Sequence, residues 1–161
     1  MTSDAKIGVL SDDMRELLEL FNRNGVQYLV VGAHAVSAYA EPRATKDLDV
    51  LVNPSEGNAQ RVFAALKEFG APLTDLSPAD FEDEGSFFII GVKPNRVDIL
   101  KKIPGLEFES AWARRKTIHL DGLELSLPDI RDLLSSKLAA GRPQDLVDAS
   151  KLQRVLQQGK M

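Results

Sequence analysis

Two aspartates interrupt an apolar run in the stretch Asp47-Leu48-Asp49-Val50-Leu51-Val52. Positions i and i+2 of a strand point to one face, so both carboxylates converge on the same side. Like charges that close repel, and burial penalises each of them further. The near-continuous apolar neighbours read as a strand covered on both faces, where such carboxylates need a compensating positive charge. Lysine or arginine can supply it. A divalent cation does so better when several carboxylates meet, and two-metal sites hold their ions about 3.5–4 Å apart. Asp98, in Arg96-Val97-Asp98-Ile99-Leu100, is a third acid set between apolar neighbours. Its plain alternative is an ion pair with Arg96 or Lys101; beside the Asp47–Asp49 pair, the metal-ligand reading is preferred.

A second feature precedes the acids. Gly32 ends the apolar run Tyr28–Val31 and opens a helix-prone segment, Ala33 to Ala40. Glycine lets a ligand approach the backbone closely, and a helix N-terminus presents free N–H groups and a positive dipole end. A triphosphate clamped at this turn could share a cation with the aspartates. The alternative is a tight strand-to-helix turn and nothing more. Arg43 either contacts phosphate or neutralises the acids, and Thr45 reads as structural. Trp112 with Arg114, Arg115 and Lys116 reads as a core tryptophan beside a solvated charge run, with a base- or RNA-contacting patch as the other option.

The elements that must position these residues are legible in the pattern. Ser11 caps a helix to Asn24 with Met14, Leu17, Leu18 and Phe21 on one face. Strands follow at Tyr28–Val31 and Leu48–Val52, and a helix capped by Asn53-Pro54-Ser55 runs to Phe69 and stops at Gly70. Residues 71–85 are polar and acidic and read as a surface loop. Ser86–Gly91 and Arg96–Leu100 read as a hairpin turning at 92–95, and Phe108–Ala113 as a short helical turn. Asp121-Gly122 marks a second hairpin between Lys116–Leu120 and Leu123–Ser126. Helices at Pro128–Ala140 and Pro143–Gln158 close the chain. The expected class is α/β (α+β): a mixed sheet flanked by helices, in a single domain with a core over 1–126 and a C-terminal helical element over 127–161.

The bulk composition excludes several classes. The chain has 161 residues, no cysteine and a formal net charge of −4, so disulfides and thiolate metal sites are ruled out, and the charge argues against a general nucleic-acid coat while leaving room for a local basic patch. No apolar run approaches the ~20 residues of a membrane span, and no signal peptide is evident, so the expectation is a cytoplasmic protein without membrane contact.

Taken together, Gly32, the following short helix, the run Pro42-Arg43-Ala44-Thr45-Lys46-Asp47-Leu48-Asp49-Val50-Leu51-Val52 and the later Asp98 resemble the DNA polymerase beta-like nucleotidyltransferase superfamily. The likeness is closest to its minimal and AbiE-type toxin branch. The resemblance implies Mg²⁺ or Mn²⁺ held by Asp47, Asp49 and Asp98, with Asp98 as base or metal contact for the attacking hydroxyl. It further implies Gly32 against the phosphates of an NTP. Ala33 stands where the superfamily carries serine or glycine, so a hydroxyl is missing while the backbone N–H groups remain; His34 and Ser37 are candidate substitutes. Lys137, Arg142 and Asp145 look like the relatives' triphosphate-side cluster, the alternative being a solvated helix face. The implied activity is transfer of NMP to a hydroxyl of an RNA such as tRNA, or of a protein. The chain would act as monomer or homodimer, and one role the resemblance implies is the toxin paired with a cognate antitoxin. The competing expectation is a non-catalytic nucleotide-binding or regulatory domain of the same fold.

Overall fold

The computed structural model describes residues 10–41, 47–91 and 95–159. The elements run α1 (Asp12–Arg23), β1 (Tyr28–Val31), α2 (Gly32–Tyr39), β2 (Leu48–Val52), α3 (Glu56–Phe69), β3 (Phe87–Ile90), β4 (Val97–Leu100), α4 (Phe108–Ala113), β5 (Lys116–Leu120), β6 (Leu123–Leu127), α5 (Ile130–Ala140) and α6 (Pro143–Gln157). Strands β1 to β4 form one mixed sheet in the order β1-β2-β4-β3. The central pair β2–β4 is parallel and both outer pairs are antiparallel. The fold is thus a mixed sheet flanked by helices, as the pattern predicts.

Strand alternation divides the sheet into two unlike faces. Tyr28, Val30, Leu48, Val50, Val52, Val97 and Ile99 join the main core with the apolar stripes of α1 and α3. Helix α1 is started by Ser11, whose hydroxyl accepts from the Met14 N–H at 3.2 Å, and it buries Met14, Leu17, Leu18, Leu20 and Phe21. The opposite face carries Leu29, Val31 and Leu51, which form a small cluster with Phe108 and Ala111 of α4. Asp49 and Asp98 lie on that second face, both half-buried.

The β5–β6 hairpin forms at Asp121-Gly122, both residues having positive φ (50° and 82°), the backbone that Asp-Gly pairs favour. It is tied to α1 by Arg15, which donates to the carbonyls of Leu120 and Asp121, each at 3.1 Å.

The polar segment 71–85 is more ordered than expected of a surface loop. It contains a 3-10 turn, Pro78–Phe81, that buries Phe81 against Phe63 and Phe88. One aromatic residue anchors the segment, and its surrounding acids mask that signal. Strand β3 is one edge of the sheet, with Phe87 and Ile89 exposed on the second face. The turn expected at 92–95 falls mostly outside the described residues.

Candidate active site

Register brings the acids together. Val31 of β1 is opposite Asp49 of β2, and Asp49 is opposite Asp98 of β4. Paired residues in neighbouring strands share a face, so the carboxylates of Asp49 and Asp98 sit side by side. Asp47 lies just ahead of β2. Gly32 follows Val31 and enters α2 with φ +71°. A Cβ on Gly32 would collide with a carboxylate oxygen of Asp49 and sit 3.2 Å from its Cγ. This position therefore needs glycine both for its left-handed backbone and for its missing side chain.

These groups open onto a cleft of about 490 Å³. Gly32, Ala33, Asp47, Asp49 and Asp98 form its sheet side; Lys137, Arg142 and Asp145, from the α5–α6 hairpin, form the other. The Lys137 ammonium lies 3.2 Å from Asp145 and 3.1 Å from Asp148. Arg142 pairs with Asp145 at 2.7 Å. Burial pushes the Asp145 carboxyl up, but Arg142 and Lys137 outweigh it and hold the group below its usual range. Asp145 and Asp148 are buried and Lys137 nearly so, whereas the Arg142 side chain is exposed, so the cluster has a buried floor and a solvated rim. Asp148, three residues beyond Asp145, was not singled out from the sequence. The i,i+3 spacing of two acids on one helix face is the signal that would have found it.

Arg96, an alternative partner expected for Asp98, also borders the cleft. It shares a strand face with Asp98 by the same i,i+2 rule, and its Nη2 donates to Asp98 Oδ2 at 3.2 Å. Its Nε lies 2.9 Å from Asp98 Oδ1, close enough for an ion pair but without hydrogen-bond alignment. The same guanidinium reaches Asp47 at 3.8 Å. Lys101, the alternative partner for Asp98, is turned elsewhere: it donates to the Asp80 carbonyl at 3.1 Å and to Ser86 Oγ at 2.8 Å.

Asp49 is left with the least compensation. Burial, then the charges of Asp98 and Asp47, push its carboxyl up to about 6, against the opposing pull of Lys137 and Arg96. The donor set, three carboxylates with one poorly compensated, suits a hard divalent cation. In the arrangement seen here Arg96 engages Asp98, and among the described residues no three acidic, histidine or cysteine side chains are disposed as a metal-ligand group.

Two of the remaining candidates lie away from the cleft. His34 and Ser37 are buried in α2 and do not border it. Burial pushes the His34 imidazole down to about 4 in spite of the Asp47 charge, so it is neutral near pH 7. Arg43 and Thr45 lie outside the described residues. Trp112 stacks on Phe108 in the small cluster, with the Arg115 guanidinium 3.8 Å above its ring.

Solved structures share this architecture at low identity. A lincosamide antibiotic adenylyltransferase in its lincomycin-bound form aligns with a TM-score of 0.57 at 14% identity, over 92% of this chain and 99% of that one. The antibiotic-resistance factor ANT(2'')-Ia aligns with a TM-score of 0.57 at 12% identity, over 89% of this chain and 82% of that one. A candidate nucleotidyltransferase from Thermotoga maritima gives a TM-score of 0.57 at 15% identity, over 89% and 90% of the two chains. No curated protein matches the sequence. Residues 8–158 match a family described as nucleotidyltransferases of unknown function, DUF6036, and the chain belongs to that family.

Proposed function

We propose that this chain transfers a nucleoside monophosphate from an NTP to a hydroxyl and releases pyrophosphate. One observation carries the reading: the register sets Asp49 beside Asp98 on one sheet face, directly under the Gly32 turn and across a cleft from Lys137 and Arg142. Asp47 and Asp49 would hold Mg²⁺ or Mn²⁺. Bound there, the cation neutralises charge on the reacting phosphate. The chain's own groups do the remaining work. The N–H groups at the start of α2 face the phosphate oxygens, and Lys137 and Arg142 approach them from the opposite wall. Asp98 accepts the hydroxyl proton as the oxygen bonds to the α-phosphorus and the bond to pyrophosphate breaks. A single domain carries all of this, with the acids on the 1–126 core and the cations on the C-terminal helices.

The resemblance to toxin nucleotidyltransferases supports RNA, such as tRNA, or protein as the acceptor. The lincosamide adenylyltransferase of like fold adds small hydroxyl compounds to the acceptors worth assaying. The test is transfer of α-phosphate label from each NTP, with Mg²⁺ or Mn²⁺, to total tRNA or to cell lysate. Label should reach a macromolecule, and Asp47→Ala and Asp49→Ala should each abolish it. Failure of every NTP to bind or react with either metal overturns the enzyme reading. The non-catalytic alternative is favoured by one observation, the engagement of Asp98 and Asp47 by Arg96. On that reading NTP binds without transfer.

A further inference from the structure

Beside the polar cleft a narrower recess of about 110 Å³ opens along α5. Ile103 and Pro104, in the turn after β4, make one wall; Leu133, Ser136 and Ala140 make the other. The spacing of 133, 136 and 140 puts those three side chains on one helical face. Gly105 fixes the separation of the walls. A Cβ there would sit 2.7 Å from the Ser135 carbonyl oxygen and 2.7 Å from Ala139 Cβ, so the turn is seated directly on α5. The recess and the polar cleft share Gly32, Asp49, Lys137, Arg142 and Asp145, and form two limbs of one depression.

We propose that this recess receives the base of the NTP, an inference that rests on the nucleotidyltransferase reading. The triphosphate is unsuited to it, because largely apolar walls would strip water from a polyanion without replacing its hydrogen bonds. The acceptor is unsuited as well. Its hydroxyl must reach Asp98, yet Asp98, Asp47 and Arg96 all border the polar limb and none borders the recess. Gly32, Lys137 and Arg142, the groups assigned to the phosphates, stand at its mouth. A flat ring between two apolar walls keeps both faces out of water, and the Ser136 hydroxyl can donate to or accept from its edge. The nucleotide therefore lies with its phosphates under the α5–α6 hairpin and its base between that hairpin and the 103–106 turn.

The experiment compares the four NTPs with inorganic tripolyphosphate, which has the phosphates and no base, by calorimetric titration in Mn²⁺. At least one NTP should bind the wild type about tenfold more tightly than tripolyphosphate, the scale of one base contact. Ala140→Leu, which fills the recess from a half-buried position at the end of α5, should erase that advantage and leave tripolyphosphate binding unchanged. Ile103→Ala, which removes a wall, should reduce it in the same selective way. Equal binding of NTPs and tripolyphosphate by the wild type overturns the inference, as does an NTP advantage that survives Ala140→Leu. If neither ligand binds the wild type, the nucleotidyltransferase reading itself falls and takes this one with it.

Discussion

Asp49 bears the electrostatic strain of the cleft. Its ordinary value is 3.8, and burial beside Asp98 and Asp47 pushes it up to about 6. Between those limits the folded chain holds a proton that the unfolded chain has released, so stability falls as pH rises through the window. Above it, the cost of the buried charge is constant. Asp49→Asn removes that cost. Without metal, the variant should melt a few degrees higher than wild type at neutral pH, roughly 1–2 kcal/mol, and this gain should vanish below the window. Paired thermal melts at neutral and acid pH decide it, and a lower melting temperature at neutral pH refutes the strain argument. The acids themselves were legible because carboxylates two apart in an apolar run contradict their surroundings. The burden on Asp49 was not, because its largest cause is burial, which only tertiary packing sets. A sequence shows that Arg96 and Asp98 share a face; it does not show that the guanidinium also spans to Asp47.

Among the elements, the α5–α6 hairpin joins stability to the site most tightly. Lys137 is the shared partner of Asp145 and Asp148, both buried. Lys137→Ala would leave Asp148 without that partner and Asp145 with Arg142 alone. It should destabilise the fold by about 3–5 kcal/mol, the usual result of stranding buried charge. Denaturant titration measures it. A loss under 1 kcal/mol, the range of exposed pairs, would show that the network is solvated. Activity measurements on this variant therefore have to be read against its folded fraction. Element boundaries were readable where local chemistry is decisive: Ser11 at a helix start, Gly70 and Gly141 in left-handed C-caps, Asp121-Gly122 in a hairpin. The charge network was harder to read, because Lys137, Arg142 and Asp145 have the same composition on a wet helix face as in a buried cluster. Only tertiary packing separates the two. The 3-10 turn at Pro78–Phe81 was obscured for a related reason, since its single anchor, Phe81, is outweighed by acidic neighbours.

At the scale of the whole molecule, the order β1-β2-β4-β3 has a consequence in time. β1, α2 and β2 are close in the chain, and β3 and β4 form a local hairpin, but the β2–β4 pairing joins residues about fifty positions apart. Closing so long a loop costs entropy before its contacts repay it, so non-local parallel pairing belongs late in folding. Asp49 and Asp98 face each other across that joint. Relief of their repulsion should consequently be felt after the rate-limiting step: stopped-flow measurements on Asp49→Asn should show slower unfolding and unchanged refolding. Faster refolding would instead place the joint in the folding nucleus. With the joint formed late, two locally ordered halves meet edge to edge, and Asp49 and Asp98, the acids proposed for catalysis, are brought together only along the line where they meet. A nascent or partly opened chain then has its helices and hairpins but not the proposed site, which is assembled when the two halves close.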